Sequence, residues 1–440
     1  MSIKMKYPSE KDLEKNRLLG IIEGATARII FNLTSGAFLV GLLKYMGASD
    51  TVCGYILAIP VLAAVIQFLS PIIFESLSYR KRIITIGSMI HKCLLSSLIA
   101  IPFLPIGITA RLWAAGAVFF VSYVAISLVT PAVSIMYVSF VPQNIRGKYF
   151  GMRESYILLA STVITLILGK ILDVLTEGGN EVAGYIVVYA TIFLLTLTNL
   201  FSYFSMKEVP HVPSKERVKI SEIFTLPFKD KRFITYFIML IIWNISVQLS
   251  SAYFAVYLKS DLNMNYTTIT VLSMINSVVY VLTARLWGKY ADKKGWTSTC
   301  MITIAILGIT HCIWFFITVG SPLALILLTI AHIVSGVAWS GINIAIFNIQ
   351  FDFTPDEKRT VYIGLSAATG GIVGYIAAMI GSQLVGLFGK NKIELFGSLF
   401  DIKQILFLAS SVLLILCALY IGVFMRPEKN KEKTEVTDHV

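Results

Sequence analysis

Charge is what this sequence has least of. Only 14% of its 440 residues are Asp, Glu, Lys or Arg and 56% are hydrophobic, whereas about a quarter of a soluble domain is charged. That balance excludes an ordinary water-soluble fold and places the chain in a bilayer. Cysteine is scarce too: Cys53, Cys93, Cys300, Cys312 and Cys417 fall singly along the chain. Such spacing excludes a disulfide framework and offers no paired metal-ligand motif. No glycine-rich loop precedes a Lys-Ser or Lys-Thr pair, so ATP-driven pumping within this chain is not expected. No nucleophile elbow is present either. The sequence therefore leads us to expect no catalytic residue, no enzyme, no metal and no cofactor.

Long apolar runs are what the chain has in abundance. A helix rising about 1.5 Å per residue needs about twenty apolar residues to cross roughly 30 Å of hydrocarbon, and such runs recur along nearly the whole length. The reading is an all-α polytopic membrane protein with twelve transmembrane helices. The first, fourth and fifth spans are 18–46, 111–140 and 154–175; the seventh and tenth are 232–258 and 322–350. The first run follows a charged segment and lacks a small-residue cleavage site, so it is expected to stay in the mature protein.

An even number of crossings puts both termini on one side. Most of the 37 Lys and Arg fall in the two tails and the even-numbered loops, which makes that side cytoplasmic by the positive-inside rule and suits a multi-pass protein of the cell membrane. The same bias accounts for the net charge of +12. Basic loops beside no nucleic-acid motif imply attraction to anionic lipid, not to nucleic acid.

One composition break interrupts the pattern. "MKEVPHVPSKERVKISEIFTLPFKDKR" (206–232) is charged and holds three prolines, as a linker between two bundles does. The expected organisation is a cytoplasmic tail at 1–17, a six-helix bundle at 18–205, a linker at 206–231, a second six-helix bundle at 232–425 and a cytoplasmic tail at 426–440. Three loop stretches recur in the second half at nearly one offset. "SGAFLVGLLK" (35–44) pairs with "SAYFAVYLK" (251–259), "SPIIFESLSYRKR" (70–82) with "WGKYADKKGWTST" (287–299), and "PQNIRGKYFG" (142–151) with "PDEKRTVYIG" (355–364). Matches in the same order point to a parallel six-plus-six duplication and so to two pseudo-repeats.

Within the second pair, "GKYADKKGW" (288–296) resembles the loop signature of the major facilitator superfamily: a glycine, an acid four residues later, then basic residues and another glycine. The first-half copy departs from it, with Pro71, Glu75 and Ser78 at the corresponding positions. The resemblance implies a secondary transporter working by alternating access, in which the loop acid holds the cytoplasmic side shut in the outward-open state. Glu75 and Asp292 are thereby expected as gating-latch acids, with Arg146 and Arg359 as their partners. Charge-assisted hydrogen bonds of a few kcal/mol suit a latch that breaks in every cycle.

The resemblance also implies that crossings one, four, seven and ten line a central cavity, and these four carry polar stripes at helical spacing. Crossing one offers Arg28 and Asn32, crossing four Tyr123, Ser127 and Thr130, crossing seven Asn244 and Gln248, and crossing ten His332, Trp339 and Asn343. These ten are the expected substrate-binding residues. Arg28 beside His332 suits a carboxylate or phosphate; the aromatic and amide groups suit sugar rings and hydroxyls. The expected substrate is thus a small organic anion or a sugar-like compound. Glu23 is read as the proton-coupling carboxylate, with symport on protons favoured over sodium because no second intramembrane acid is visible. His91, Lys92 and His311 lie on helices that the resemblance makes peripheral. The fifth crossing lacks the glycine-proline pattern of drug:proton antiporters, so multidrug efflux is the alternative, with a non-transporting receptor as another. Beyond solute, proton and lipid no partner is expected, and the chain is read as a monomer.

Overall fold

The computed structural model describes residues 7–211, 227–355, 359–389, 391–395 and 397–425. Among them 11 helices are long and apolar enough to cross a membrane, and a bent pair supplies a twelfth crossing. That pair is α1 (Glu10–Leu33) and α2 (Gly36–Tyr45), bent by 45°. The bend falls where the Thr34 hydroxyl returns to the Ile30 carbonyl at 2.7 Å and Gly36 takes φ +51°, a left-handed conformation that glycine adopts without a Cβ clash.

The second crossing is α3 (Asp50–Ala63), a 3₁₀ turn (Ala64–Phe68) and α4 (Leu69–Phe74). Pro60 lies just before the turn and cannot donate to the helical ladder, which loosens it there. Four helices complete the first six crossings: α5 (Lys81–Ser97), α6 (Ile108–Ser139), α7 (Arg146–Glu177) and α8 (Glu181–Ser205). The seventh crossing is α9 (Lys231–Gln248) with α10 (Ser251–Val256), ending in a π turn at Tyr257–Asp261. Five more follow as α11 (Tyr266–Lys294), α12 (Trp296–Phe315), α13 (Ala324–Asp352), α14 (Arg359–Phe388) and α15 (Ile402–Phe424).

Several helices outrun the apolar runs that announce them. α7 starts at Arg146, about two turns before the hydrophobic stretch at 154, and α11 continues to Lys294. Arg, Lys and Glu are good helix formers, so the helix persists beyond hydrocarbon into the headgroup zone. Where helices start opposite the tails, short polar side chains take up orphan N–H groups. Ser49 accepts from Val52, Asn265 from Thr268, and Asp401 from Lys403 in a capping box with Gln404. Among the described residues one element is not helical: β1 (Ile393–Leu395) and β2 (Ser398–Phe400) form an antiparallel hairpin between the last two crossings, with Phe400 stacked on Phe315 at 4.4 Å.

Large apolar side chains cover the outside of the bundle, among them Leu282, Phe201 and Leu387. In water they would form an aggregating patch; in lipid tails they cost nothing, and exposed backbone is confined to the ends. Inside, α1 packs on α7 and α8, α5 on α6 and α8, α12 on α13 and α15, and α9 on α14 and α15. The two halves meet through α3 on α14, α7 on α11, and the far ends of crossings one and seven.

Their cores are distributed unequally along the membrane normal. On the side away from the tails one cluster joins both halves, with Phe38, Leu172 and Tyr185 beside Tyr253, Tyr266 and Phe407. Toward the tails each half has its own cluster, one around Phe233 and Met239, the other around Ile84 and Tyr137. The bundle is therefore sealed at its far side and parted at its tail side. Of the segment read as a linker, 206–211 is pinned to the first half. Asn16 donates to the Lys207 carbonyl at 2.6 Å and accepts from its N–H at 2.9 Å, and the Lys207 and Ser9 hydrogen bonds hold the Asp12 carboxyl down at about 2. Residues 212–226 and the tail 426–440 lie outside the described residues.

Candidate functional site

Of the cavities among the described residues, three bear on the site. The largest, about 660 Å³, lies between crossings two, seven, ten and eleven and is lined by Gln67, Tyr236, Trp243, Asn244, Gln248, Trp339, Asn343 and Gln350 together with aliphatic residues. None of its lining residues is a carboxylate, lysine, arginine or histidine. Trp243 and Trp339 meet edge to face at 5.9 Å. The tenth-crossing amide Asn343 donates to the Tyr280 hydroxyl at 3.3 Å, and Asn244 donates to the Leu240 carbonyl at 2.8 Å. On the facing helix Gly370 leaves room: a Cβ there would lie 3.3 Å from Asn244 Nδ2. Such a wall of amides and indoles stacks rings and exchanges hydrogen bonds with hydroxyls or bases.

A second cavity of about 400 Å³ shares Val247 and Trp339 with the first. His311 and His332 both line it, with Asn276, Ser335 and Trp314. Each imidazole bonds through Nδ1 to a carbonyl one turn back, His311 to Leu307 at 2.9 Å and His332 to Leu328 at 2.8 Å. A carbonyl only accepts, so Nδ1 carries the proton and a neutral ring keeps Nε2 as its acceptor. His311, expected on a peripheral helix, thus stands in a cavity wall. A third cavity of about 220 Å³ shares Ser273 and Ser277 with the second and is lined by Arg28, Asn32, Ser161 and Thr165, with Asn32 donating to Thr165 at 3.3 Å.

Seven of the ten expected binding residues therefore line cavities, spread over three spaces. Tyr123, Ser127 and Thr130 line none of the three. Tyr123 is buried against Phe119 at 4.6 Å and His91 at 5.2 Å; Ser127 is buried; and the Thr130 hydroxyl is spent on the Ile126 carbonyl at 2.8 Å. Serine and threonine on a helix satisfy themselves in this way without facing a cavity, and a polar stripe does not reveal it.

Glu23 is embedded inside the first six helices, 5% exposed. Tyr137 donates to it at 2.5 Å and Tyr203 at 3.1 Å; Asn199 donates to its backbone carbonyl at 3.0 Å. Lys92 lies 3.9 Å and Arg153 3.8 Å from the carboxylate. Lys92 is buried as well, so it does not reach the surface; it balances Glu23 within its own half. Arg153 in turn pairs with Glu154 at 3.0 Å, and Glu154 lies 3.8 Å from Arg28. A fifth span beginning at 154 leaves Arg153 outside it. The stripe rule selects Glu154, since Glu154, Ser161 and Thr165 recur at i, i+7 and i+11 on one face.

Three of the four expected latch residues stand without an ionic partner. Among the described residues no ion pair joins Glu75, Arg146 or Asp292 to an opposite charge; Asp292 is exposed, and Arg146 reaches only the Val141 carbonyl, at 3.4 Å. The Arg359 side chain lies outside the described set. In the first half the carboxylate at a helix start is Glu208, which accepts from the Lys81 N–H at 2.7 Å and from the Arg80 N–H.

The far side, by contrast, is bolted across the halves. Lys403 lies 2.8 Å from both Asp50 and Asp261, and Lys44 lies 2.5 Å from Asp50. Asp173 accepts from the Tyr266 and Thr267 N–H groups at 2.7 Å each, a carboxylate on the N-terminus of α11 where the helix dipole favours negative charge. The Tyr185 and Tyr266 hydroxyls meet at 2.9 Å.

Comparison with known proteins agrees with this architecture. The family model of the Major Facilitator Superfamily matches residues 24–378. Among solved structures, a variant of the nucleoside transporter NupG superposes with a TM-score of 0.75 at 14% identity, covering 93% of this chain and all of that one. The xylose transporter XylE from E. coli, in an inward-open conformation, gives 0.64 at 14% identity with 95% and 97% covered. A bacterial homologue of the iron transporter ferroportin, inward-facing, gives 0.67 at 12% identity with 94% and 98% covered. No curated protein sequence matches the chain.

Proposed function

The chain belongs to the Major Facilitator Superfamily, and we propose that it carries a small, uncharged, ring-bearing polar solute, a sugar-like or nucleoside-like compound, across the membrane by alternating access. The observation that carries this reading is the 660 Å³ cavity, where two indoles and five side-chain amides meet without one charged lining residue. A lipophilic cation would find no carboxylate there, which argues against multidrug efflux. Stacking on Trp243 or Trp339 and hydrogen bonds to Asn244, Gln248, Asn343 and Gln67 would fix a hydroxylated ring.

The tail side is the cytoplasmic one in this reading, from the basic loops, and the sealed far side makes the described conformation inward-open. The latch residues without an ionic partner fit that state. Transport is coupled to protons through Glu23, an embedded carboxylate that exchanges a proton as its helices rearrange, and the monomer is the working unit. Uptake into proteoliposomes of D-xylose, uridine and D-glucuronate, with a cationic dye as control, tests the substrate class. Uptake of xylose or uridine supports the proposal; movement of the dye alone overturns it in favour of efflux, and binding without net flux overturns it in favour of a receptor. A pH gradient should drive the uptake, and a sodium gradient at constant pH should not.

A second reading, for an organic anion, has its own observation in the half-exposed Arg28 of the 220 Å³ cavity. If D-glucuronate is carried and Arg28→Ala abolishes that while sparing D-xylose, the acid is the substrate class.

A further inference from the structure

Five alternating charges form a ladder from the interior of the first six helices to the rim of the smallest cavity. Lys92 lies 3.9 Å from Glu23, Glu23 3.8 Å from Arg153, Arg153 3.0 Å from Glu154, and Glu154 3.8 Å from Arg28. The two carboxylates share one guanidinium and differ in everything else. Glu23 is buried and faces Lys92 from α5, Tyr137 from α6, Arg153 from α7, and Asn199 and Tyr203 from α8. Glu154 has a side chain 58% exposed and, among the described residues, pairs only with Arg153 and Arg28. It shares its helix face with Leu158, Ser161 and Thr165, which line the cavity beside Arg28.

We infer that Glu154 is the water-reachable carboxylate of the coupling system, linked through Arg153 to Glu23 and through Arg28 to the substrate space. The inference rests on the proton-coupled reading above and gives it an entry point. When a proton from tail-side water forms an O–H bond at Glu154, the carboxyl loses its charge, and its pairings with Arg153 and Arg28 weaken. No other bond is made or broken. A carboxylate holds a guanidinium by charge-assisted hydrogen bonds about twice as strong as neutral ones, so Arg153 is then left to Glu23 alone and Arg28 turns free toward the cavity. Deprotonation of Glu154 restores the ladder. Loading the outer acid thereby changes both the groups facing the substrate and the surroundings of the buried acid. A bare Glu23, sealed behind Tyr137 and Tyr203, has no such contact with the cavity.

Infrared difference spectroscopy on the full-length protein in nanodiscs, titrated with acid, tests the link without any substrate. Wild type should show two protonatable carboxyl signals, one removed by Glu154→Gln and the other by Glu23→Gln. Glu154→Gln should also move the midpoint of the remaining signal by about one pH unit, a tenfold change in proton affinity, whereas Glu154→Asp should keep both signals. A remaining signal whose midpoint stays put overturns the inference and makes Glu154 a solvated surface acid. Thermal unfolding alongside shows whether each variant is folded. The pH-driven uptake of D-xylose, uridine and D-glucuronate separates the two readings. Linked signals without pH-driven uptake reject proton coupling and leave the link standing; pH-driven uptake with unlinked signals rejects the link alone.

Discussion

The two halves of this transporter solve opposite problems with the same six-helix plan. In the first half, charge is buried and balanced: Glu23, Lys92 and Arg153 sit among the helices with tyrosines and an asparagine around them. The central cavity, walled mainly by the second half, holds amides and indoles, with no charged lining residue at all. A buried charge is expensive unless paired and hydrogen-bonded, and the first half supplies both. Neutral polar groups are cheap to wet and dry, so they suit a surface that releases its ligand every cycle.

The contrast breaks most visibly in stability. Lys92→Ala leaves the Glu23 carboxylate with Arg153 as its one remaining cation, and losing a partner from a buried pair costs about 3 kcal/mol or more. The melting temperature of the purified protein should fall by several degrees, while Asn244→Ala, on the neutral side, should leave it within about 0.5 kcal/mol of wild type. Equal melting curves for both would mean that the first-half charges are not a balanced buried set.

Affinity should show the reverse order. Trp339→Ala removes an aromatic wall shared by two cavities and should weaken binding of the transported probe about tenfold or more, about 1.4 kcal/mol. Glu23→Gln should leave that affinity nearly intact yet abolish accumulation against a gradient. Calorimetry and proteoliposome uptake on both variants decide whether recognition and coupling are divided between the halves.

A smaller effect concerns the seam that joins them. Asp173→Asn removes the charge that caps α11 from the opposite half, a contribution of about 1 kcal/mol, and should raise the far-side-open population several-fold. Cys53, buried at that seam, reports it in a protein whose other cysteines are serine: labelling by an impermeant thiol reagent from the far side should speed up accordingly. An unchanged rate would show that the Lys403 cluster alone holds the seam. The least change is expected from Gly370→Ala, whose methyl would crowd Asn244 and lower affinity a few-fold by pressing on an adjustable amide. No change there would mean that the ligand sits away from the eleventh crossing.

Much of this was legible in the chain, and the failures were specific. The crossings follow from apolar run length, whereas the bend near Thr34 does not; Asn244, Gln248, Trp339 and Asn343, picked out by their spacing on one face, line a cavity. Tyr123 and Thr130 had the same spacing and line none of the three cavities, because helical periodicity selects a face and not the neighbour that the face meets. Glu154 was missed because polarity at a helix end looks the same whether it meets headgroups or a cavity.

What the sequence determined by itself is what depends on single helices: a membrane protein of twelve crossings, since backbone in lipid must satisfy its own hydrogen bonds and length fixes a span. The loop signature added the family. What only the tertiary structure decided is what depends on helices meeting: that Lys92 and Arg153 belong to Glu23, that His311 stands in a cavity, and that Asp50, Asp261 and Lys403 close the far side while the tail side is parted. Charge pairing falls off within a few ångströms, and residues separated by scores of positions come that close only through the packing of the whole bundle.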